Sequence, residues 1–266
     1  MNLTKTCLLL VCVVGAASCG SSEPGTGMGG GGGSATGGSG GGSGQGGGSP
    51  VGDSYFPFKE GNTWTYEVKD TGVTSWKTQT ILGMEKIGKG PTPNAMAYKV
   101  LTEKRKTGPT GAVTDKTESW QSYAGAKLVR YREIDYKGAG ATMTPNEEDW
   151  WDPFKVRIDE RPNDKALAKD LTWDEQYKEV KLLVKVPPVP ESAPVAHTDT
   201  WKVVDVGFDF TVKAGTLKNC VQLTKTSSTV VDDVGKNYWF CAGVGKAKEA
   251  SRTGISTEEL IQFNVK

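Results

Sequence analysis

A single histidine, His197, is all the imidazole the chain carries. It falls in the Pro-containing stretch 191–198, where an exposed loop histidine is expected. A Ser-His-Asp set can be written only around it, and no nucleophile elbow accompanies it. Gly-x-Ser-x-Gly patterns occur only inside a Gly/Ser-rich stretch, where composition alone generates them. Cysteine is nearly as scarce. Three of the five lie at or before position 19. The remaining two, Cys220 and Cys241, make at most half a zinc site without histidine nearby. No metal and no cofactor is expected. Charge of one sign is also missing. The formal net charge is +1, and Lys5 is the only charged residue in 1–18. The chain beyond is therefore neutral, with no net electrostatic pull toward nucleic acid. No apolar run reaches the roughly 20 residues that a membrane-spanning helix needs. Few stretches carry a helical period.

What is present begins with an address. Lys5 precedes Cys7-Leu-Leu-Leu-Val-Cys-Val-Val-Gly-Ala-Ala17, a positive region followed by a short apolar one. This pattern predicts a cleaved export signal over 1–18. It ends in Ala16-Ala17-Ser18-Cys19, which resembles the lipobox of bacterial lipoproteins, with Ala16 where leucine is usual. The resemblance implies acylation of Cys19. The alternative is ordinary cleavage after the small residues, giving a free secreted protein. Two or more acyl chains hold a protein at a membrane firmly, at about 0.8 kcal/mol per buried CH₂. In many Gram-negative bacteria aspartate after the cysteine retains a lipoprotein in the inner membrane, so Gly20 leans toward the outer one.

Residues 19–53 are mostly glycine and serine. Such a stretch has no apolar side chains to bury and much backbone entropy to lose, so a disordered tether is expected. About 33 Gly/Ser-rich residues span roughly 30 Å root-mean-square.

From position 54 to 266 the chain changes character, and one β-rich domain is predicted. Short segments rich in β-branched and aromatic residues recur: Thr63–Val68, Thr74–Ile81, Ala97–Thr102, Thr117–Tyr123, Lys127–Ile134, Glu179–Val186, Thr198–Val206, Phe208–Val212, Leu217–Thr226, Asn237–Cys241 and Leu260–Val265. In the first, Trp64, Tyr66 and Val68 share one face, and Thr65 and Glu67 the other, the period of a half-buried strand. A short helix is expected at Asp164–Leu171 and one helical turn at Thr257–Leu260. The fold class is all-β and antiparallel, an open or closed barrel-like sheet, with a β-sandwich as runner-up.

Three motifs punctuate the domain. It opens Tyr55-Phe-Pro-Phe-Lys-Glu-Gly-Asn-Thr-Trp-Thr-Tyr66. Near its end stand Val212-Lys-Ala-Gly-Thr-Leu-Lys-Asn-Cys220 and Tyr238-Trp-Phe-Cys-Ala-Gly-Val-Gly-Lys-Ala-Lys-Glu249. In this order they resemble the "YfPl..GN.W.Y", "v.aGtf.nC" and "yw.a.GVG.vk" motifs of a family of bacterial lipoproteins, most of unknown role. Some of that family resemble open barrels of periplasmic carriers of lipid or lipoprotein acyl chains. Read from the residues alone, the motifs are structural: Gly61-Asn62 a turn, Trp64 and Tyr66 core aromatics, Ala214-Gly215-Thr216 a hairpin turn, and Gly243 and Gly245 positions of positive φ or a bulge.

Cys220 and Cys241 fall in the two C-terminal motifs of an exported chain, and a disulfide between them is expected. The most unusual cluster is Glu147-Glu-Asp-Trp-Trp-Asp152, expected as an acidic loop entering a strand, with one tryptophan buried and one at a rim. Its acids suit Ca²⁺ and its rings a sugar or a lipid chain, though a structural role is the simpler reading. Eight tryptophans, all beyond residue 63, are many. In a partly filled barrel some would line a cavity, and Trp64, Tyr66, Trp150 and Trp151 are the candidate ligand-binding residues. The function expected is a membrane-anchored envelope lipoprotein with a non-enzymatic binding or structural role toward lipid, glycan or an envelope protein. A cell-surface adhesion or display module is the alternative, and a glycan or ester hydrolase is further off.

Overall fold

The computed structural model describes residues 54–138, 143–184, 190–228 and 235–266. The chain divides into two units, Met1–Gly44 and Gln45–Lys266, and every described residue lies in the second. The leader 1–18, Cys19 and the tether through 53 lie outside the described residues.

Twelve strands follow in sequence: β1 (Thr63–Asp70), β2 (Val73–Lys86), β3 (Met96–Arg105), β4 (Val113–Ala124), β5 (Lys127–Lys137), β6 (Thr144–Asp159), β7 (Thr172–Leu183), β8 (Val195–Val212), β9 (Gly215–Ser227), β10 (Lys236–Cys241), β11 (Gly245–Ser251) and β12 (Ser256–Asn264). Each pairs antiparallel with its chain neighbours, and β1 lies between β2 and β12. The sheet is a closed barrel. Closure settles the choice against a sandwich, and among the described strands every one has a ladder partner on both sides over at least part of its length.

Alternation decides which side chains fill the interior. In β1, Trp64 and Tyr66 are buried between less buried Thr65 and Glu67. In β7, Trp173, Glu175 and Tyr177 are buried, while Thr172, Asp174, Gln176 and Lys178 are exposed. The charged outer faces of these strands are unlike the apolar band of a transmembrane barrel.

Several sequence expectations need correction. The segment Glu147–Asp152 is not a loop but the middle of β6, sixteen residues long. The acids are neutralised on the sheet: Arg132 Nε donates to Glu148 Oε1 (2.6 Å), and Lys181 Nζ to Glu147 Oε1 (2.6 Å). The helix expected at Asp164–Leu171 is absent. Only a 3-10 turn forms at Pro162–Asp164, and Asn163 and Asp164 have φ of 53° and 59°, which a right-handed helix cannot pass through. Thr257–Leu260 belongs to β12. Thr198–Val206 and Phe208–Val212 are one strand, β8, bulged around Gly207 with φ of 73°. His197 is not in a loop; it sits in β8 with its side chain 13% exposed, stacked on Tyr177 with ring centroids 5.0 Å apart.

Pro153 shapes the wall. It has no N–H to continue a ladder. The β6–β7 pairing ends at Asp152↔Lys178. Beyond it, Lys155–Asp159 of β6 pair with β5, and Thr172–Tyr177 of β7 with β8. Residues 160–171 cross between them. Asp170 N donates to Val203 O (2.9 Å), and Leu167 and Leu171 pack on the core.

The opening motif closes one end of the barrel. Asn62 is fully buried; its Nδ2 donates to Pro57 O (2.8 Å), and its Oδ1 accepts from Lys266 N (2.9 Å). This pins the segment before β1 across the mouth, so Phe56 reaches Trp64 (centroids 5.0 Å) and Phe58 reaches Tyr98 (5.6 Å). Ser54 Oγ and Phe56 N both donate to Glu160 Oε1 (2.8 and 3.2 Å). Gly245 fits beside this arrangement because a Cβ there would lie 3.0 Å from Trp64 Nε1, at a φ of 111°. Trp64 Nε1 donates to Val244 O.

Cys220 and Cys241 are direct cross-strand partners on β9 and β10 and form a disulfide. Removing a constraint that closes a loop of this size costs about 3 kcal/mol in the chain-entropy model. The Cys220→Ala/Cys241→Ala double variant is therefore expected to lose about that much stability in urea denaturation. Reduction of the wild type should reproduce the loss. An unchanged midpoint would show that the β9–β10 ladder holds without the bond.

Candidate functional site

Inside the barrel aromatic and charged side chains interleave, with Lys77 and Lys246 over Tyr66 and Lys225 over Trp201. Toward the plugged end lie Trp64, Trp201, Tyr238 and Phe240, all buried. Elsewhere the interior carries an ionic cluster. Lys246 Nζ contacts Glu249 Oε2 (2.7 Å) and Glu258 Oε1 (2.8 Å), and Lys77 pairs with Glu258 as well. Burial alone would raise the Glu258 carboxyl; Lys246 and Lys77 outweigh it and hold it below its ordinary value. Lys246, facing two carboxylates, is held above its ordinary value against its burial. Lys77 shares one of those carboxylates, and burial brings it down to about 8. Above this cluster the Tyr66 hydroxyl is pushed far up by burial and then by Glu258.

A cavity lies among these groups. It comes to about 30 Å³, counted as space open to the centre of a water molecule. That is room for two or three waters at about 10–15 Å³ each. Phe56, Phe58, Trp64, Trp201 and Phe240 form its ring-lined part. The charged residues lining it are Lys155, Arg157, Lys225 and Lys246, and no carboxylate does. Lys225 is neutralised by Asp199 (2.9 Å) and Lys246 by its two glutamates. Lys155 and Arg157 have no ion pair among the described residues. Lys155 instead lies over the rings of Trp151 (5.3 Å) and Tyr177 (5.6 Å). Burial, with Lys225 next, brings its ammonium down to about 8.

Arg157 owes its place to a bulge. Leu128 pairs with Ile158 and Val129 with Val156, so Arg157 has no partner residue on β5. Bulges re-aim side chains in this way. Its guanidinium is felt by Tyr66, Tyr238 and Lys246 alike, from three other strands.

The four aromatic candidates from the sequence part company. Trp64 lines the cavity. Tyr66 is buried beside the ionic cluster. Trp151 faces inward, and its Nε1 donates to Glu179 Oε1 (3.0 Å). Trp150 is packed on the other side of β6, under Lys89 (4.5 Å) and against Gly90. The concavity expected to be apolar or aromatic is also cationic. Lys155, Arg157 and Lys225 were not singled out by the sequence. They stand in strands whose alternation otherwise reads as a solvated face, and a bulge leaves no clear mark in a single sequence.

Asp149 marks another place where the interior is short of partners. Its Oδ1 has no hydrogen-bond donor, and Lys181 is 3.8 Å away. Burial pushes its carboxyl up to about 7; Lys181 opposes this, while Glu147, Glu179 and Glu133 add to it. A cleft of about 260 Å³ nearby, lined by Lys104, Asp115, Lys116, Asp135, Tyr136 and Glu147 among others, mixes both charges.

The sequence matches no protein-family model and has no significant match among curated proteins. Two solved structures are similar in fold. One is a candidate exported protein with a YmcC-like fold from Bacteroides fragilis NCTC 9343, with 10% identity, 80% of this chain and 99% of that chain covered, and a TM-score of 0.44. The other is a candidate lipoprotein from Parabacteroides distasonis ATCC 8503, with 12% identity, 81% and 100% covered, and a TM-score of 0.46. Both likenesses are distant.

A raised carboxyl pKa means that the folded state keeps a proton the unfolded chain has released. Stability therefore falls as pH rises from about 4 to about 7 and stays low above. Asp149→Asn is expected to raise the urea midpoint more at about pH 8 than at about pH 4. Equal gains at the two pH values would assign the effect to something other than this ionisation.

Proposed function

We propose that the chain is an exported, lipid-anchored protein of the bacterial envelope whose barrel binds a small amphiphile and catalyses no reaction. The observation that carries the reading is the interior cavity. Rings and aliphatic side chains wall part of it, cations wall the rest, and a segment held by hydrogen bonds and by the packing of Phe56 and Phe58 closes the barrel mouth beside it. Apolar walls with a few placed polar groups are the usual make-up of a small-molecule site. Export and anchoring rest on the apolar leader and on the small residues before Cys19.

Two measurements test this. Expressed in a Gram-negative host, the wild type is expected to carry acyl mass and pellet with membranes, and Cys19→Ala to be soluble. Two soluble forms cleaved near Ser18 would discard the anchor. The full-length Cys19→Ala protein, incubated with a bacterial lipid extract and repurified, is expected to retain lipid in native mass spectrometry. Trp201→Ala, which opens the cavity wall, should alter that retention, whereas Trp150→Ala should leave it unchanged. Absence of any retained lipid would discard the binding reading.

A further inference from the structure

Lys155, Arg157 and Trp201 line the cavity without a side-chain hydrogen bond or ion pair among the described residues, although Lys155 lies over the Trp151 and Tyr177 rings and is attracted by Glu179 and Asp199. Lys155 and Arg157 line it and have no carboxylate within ion-pair distance among the described residues. Trp201 lines it too, and its indole N–H is buried, with the residue 2% exposed and no acceptor in reach. Other interior cations in this barrel are matched: Lys246 by Glu249 and Glu258, Lys225 by Asp199, and Arg130 by Glu133. Cations held inside a protein are ordinarily paired, because leaving water costs several kcal/mol per ion. Lys155 and Arg157 are half-buried, so they keep part of their hydration. A chain that pairs its other interior cations and leaves these two without a carboxylate in ion-pair distance, beside an orphan donor, nonetheless has a place in its charge balance for one anion.

From this we infer that the cavity is an anion site, taking the carboxylate or phosphate of an amphiphile between Lys155 and Arg157, with the Trp201 N–H as a further donor. The inference rests on the binding reading above and adds the charge of the ligand and the residues that select it. The cavity's volume is that of two or three waters, about what a carboxylate occupies; a phosphate or an acyl chain takes more and needs the segment over the mouth to move. An attached acyl chain has one apolar direction available, toward Phe56 and Phe58 at the plugged end. Those rings ride on residues 54–60. This segment is fixed at one end by the Asn62 contacts and at the other by bonds to Glu160, to the Tyr123 hydroxyl and from Gly243 N to Ser54 O, none of which belongs to a strand ladder, so it can move without breaking a strand pair. The site also lies where β6 has parted from β7, on the one stretch of wall with no ladder between those neighbours.

The test is calorimetric titration of the full-length Cys19→Ala protein with three probes: sodium myristate, tetradecanol with the same chain and no charge, and inorganic phosphate. Myristate is expected to bind about tenfold or more tighter than tetradecanol, the usual worth of a charge-assisted contact. Arg157→Met and Lys155→Met should each remove most of that difference and leave tetradecanol unchanged, and Arg157→Lys should restore part of it. A merely structural role would move both probes together. Ligand-free Arg157→Met should also denature at no lower urea concentration than wild type, since it loses an unmatched cation. Equal binding of the two amphiphiles, indifferent to Arg157, would overturn the anion site and leave the binding reading standing. Binding of phosphate alone, lost in Arg157→Met, would keep the anion site and discard the amphiphile. No heat with any probe would discard both.

Discussion

The interior of a twelve-stranded closed sheet has to be filled, and the rest of this molecule follows from that demand. Around eight strands give a barrel just wide enough for ordinary side chains to meet in the middle. Twelve strands leave more room than valine and leucine can occupy. The chain fills it with its longest and widest side chains: Trp64, Trp151 and Trp201 are almost fully buried, and lysine and arginine reach inward from β2, β5, β6, β9 and β11. Length is what qualifies a lysine for this work, and charge is what it brings along. Carboxylates must then accompany it, as Glu258 accompanies Lys77 and Lys246. The last of the space is taken from outside, by Phe56 and Phe58 on the segment before β1.

Seen this way the ionic cluster and the cavity are two outcomes of one design. Where cation and carboxylate balance, the interior is electrostatically complete. Where they do not, at Lys155 and Arg157, it is left electrostatically incomplete. Pro153 and the bulge at Arg157 produce that imbalance locally, because they free β6 from β7 and turn a side chain that regular alternation would place elsewhere.

The period-two strands, the turn and core aromatics of the opening motif, and the disulfide between the two C-terminal motifs were legible in the sequence, whereas the closing of the barrel mouth by Phe56 and Phe58 was not. Period two in Thr63–Val68, glycines at tight positions, and two cysteines in adjacent motifs are local signals. β6 was not legible, since Glu147 and Glu148 look like loop residues until Arg132 and Lys181 are brought across from other strands. His197 was misplaced for the same reason: Tyr177, which covers it, lies twenty residues earlier in sequence. The candidate site was largely illegible. Of its lining only Trp64 announced itself, and the cations that give the cavity its character pass in sequence for surface charge.

The position of β1 has a mechanical side. It is hydrogen-bonded along its length to β2 on one flank and β12 on the other. Any load carried by the chain before Ser54 meets first the side-chain bonds of the plug, then β1 pulled along its own axis. In that geometry both ladders are sheared, and their bonds resist as a set instead of parting one at a time. The plug stands in series with those ladders, so tension on the chain reaches the Ser54 and Phe56 bonds and the packing of Phe56 and Phe58 before it reaches β1.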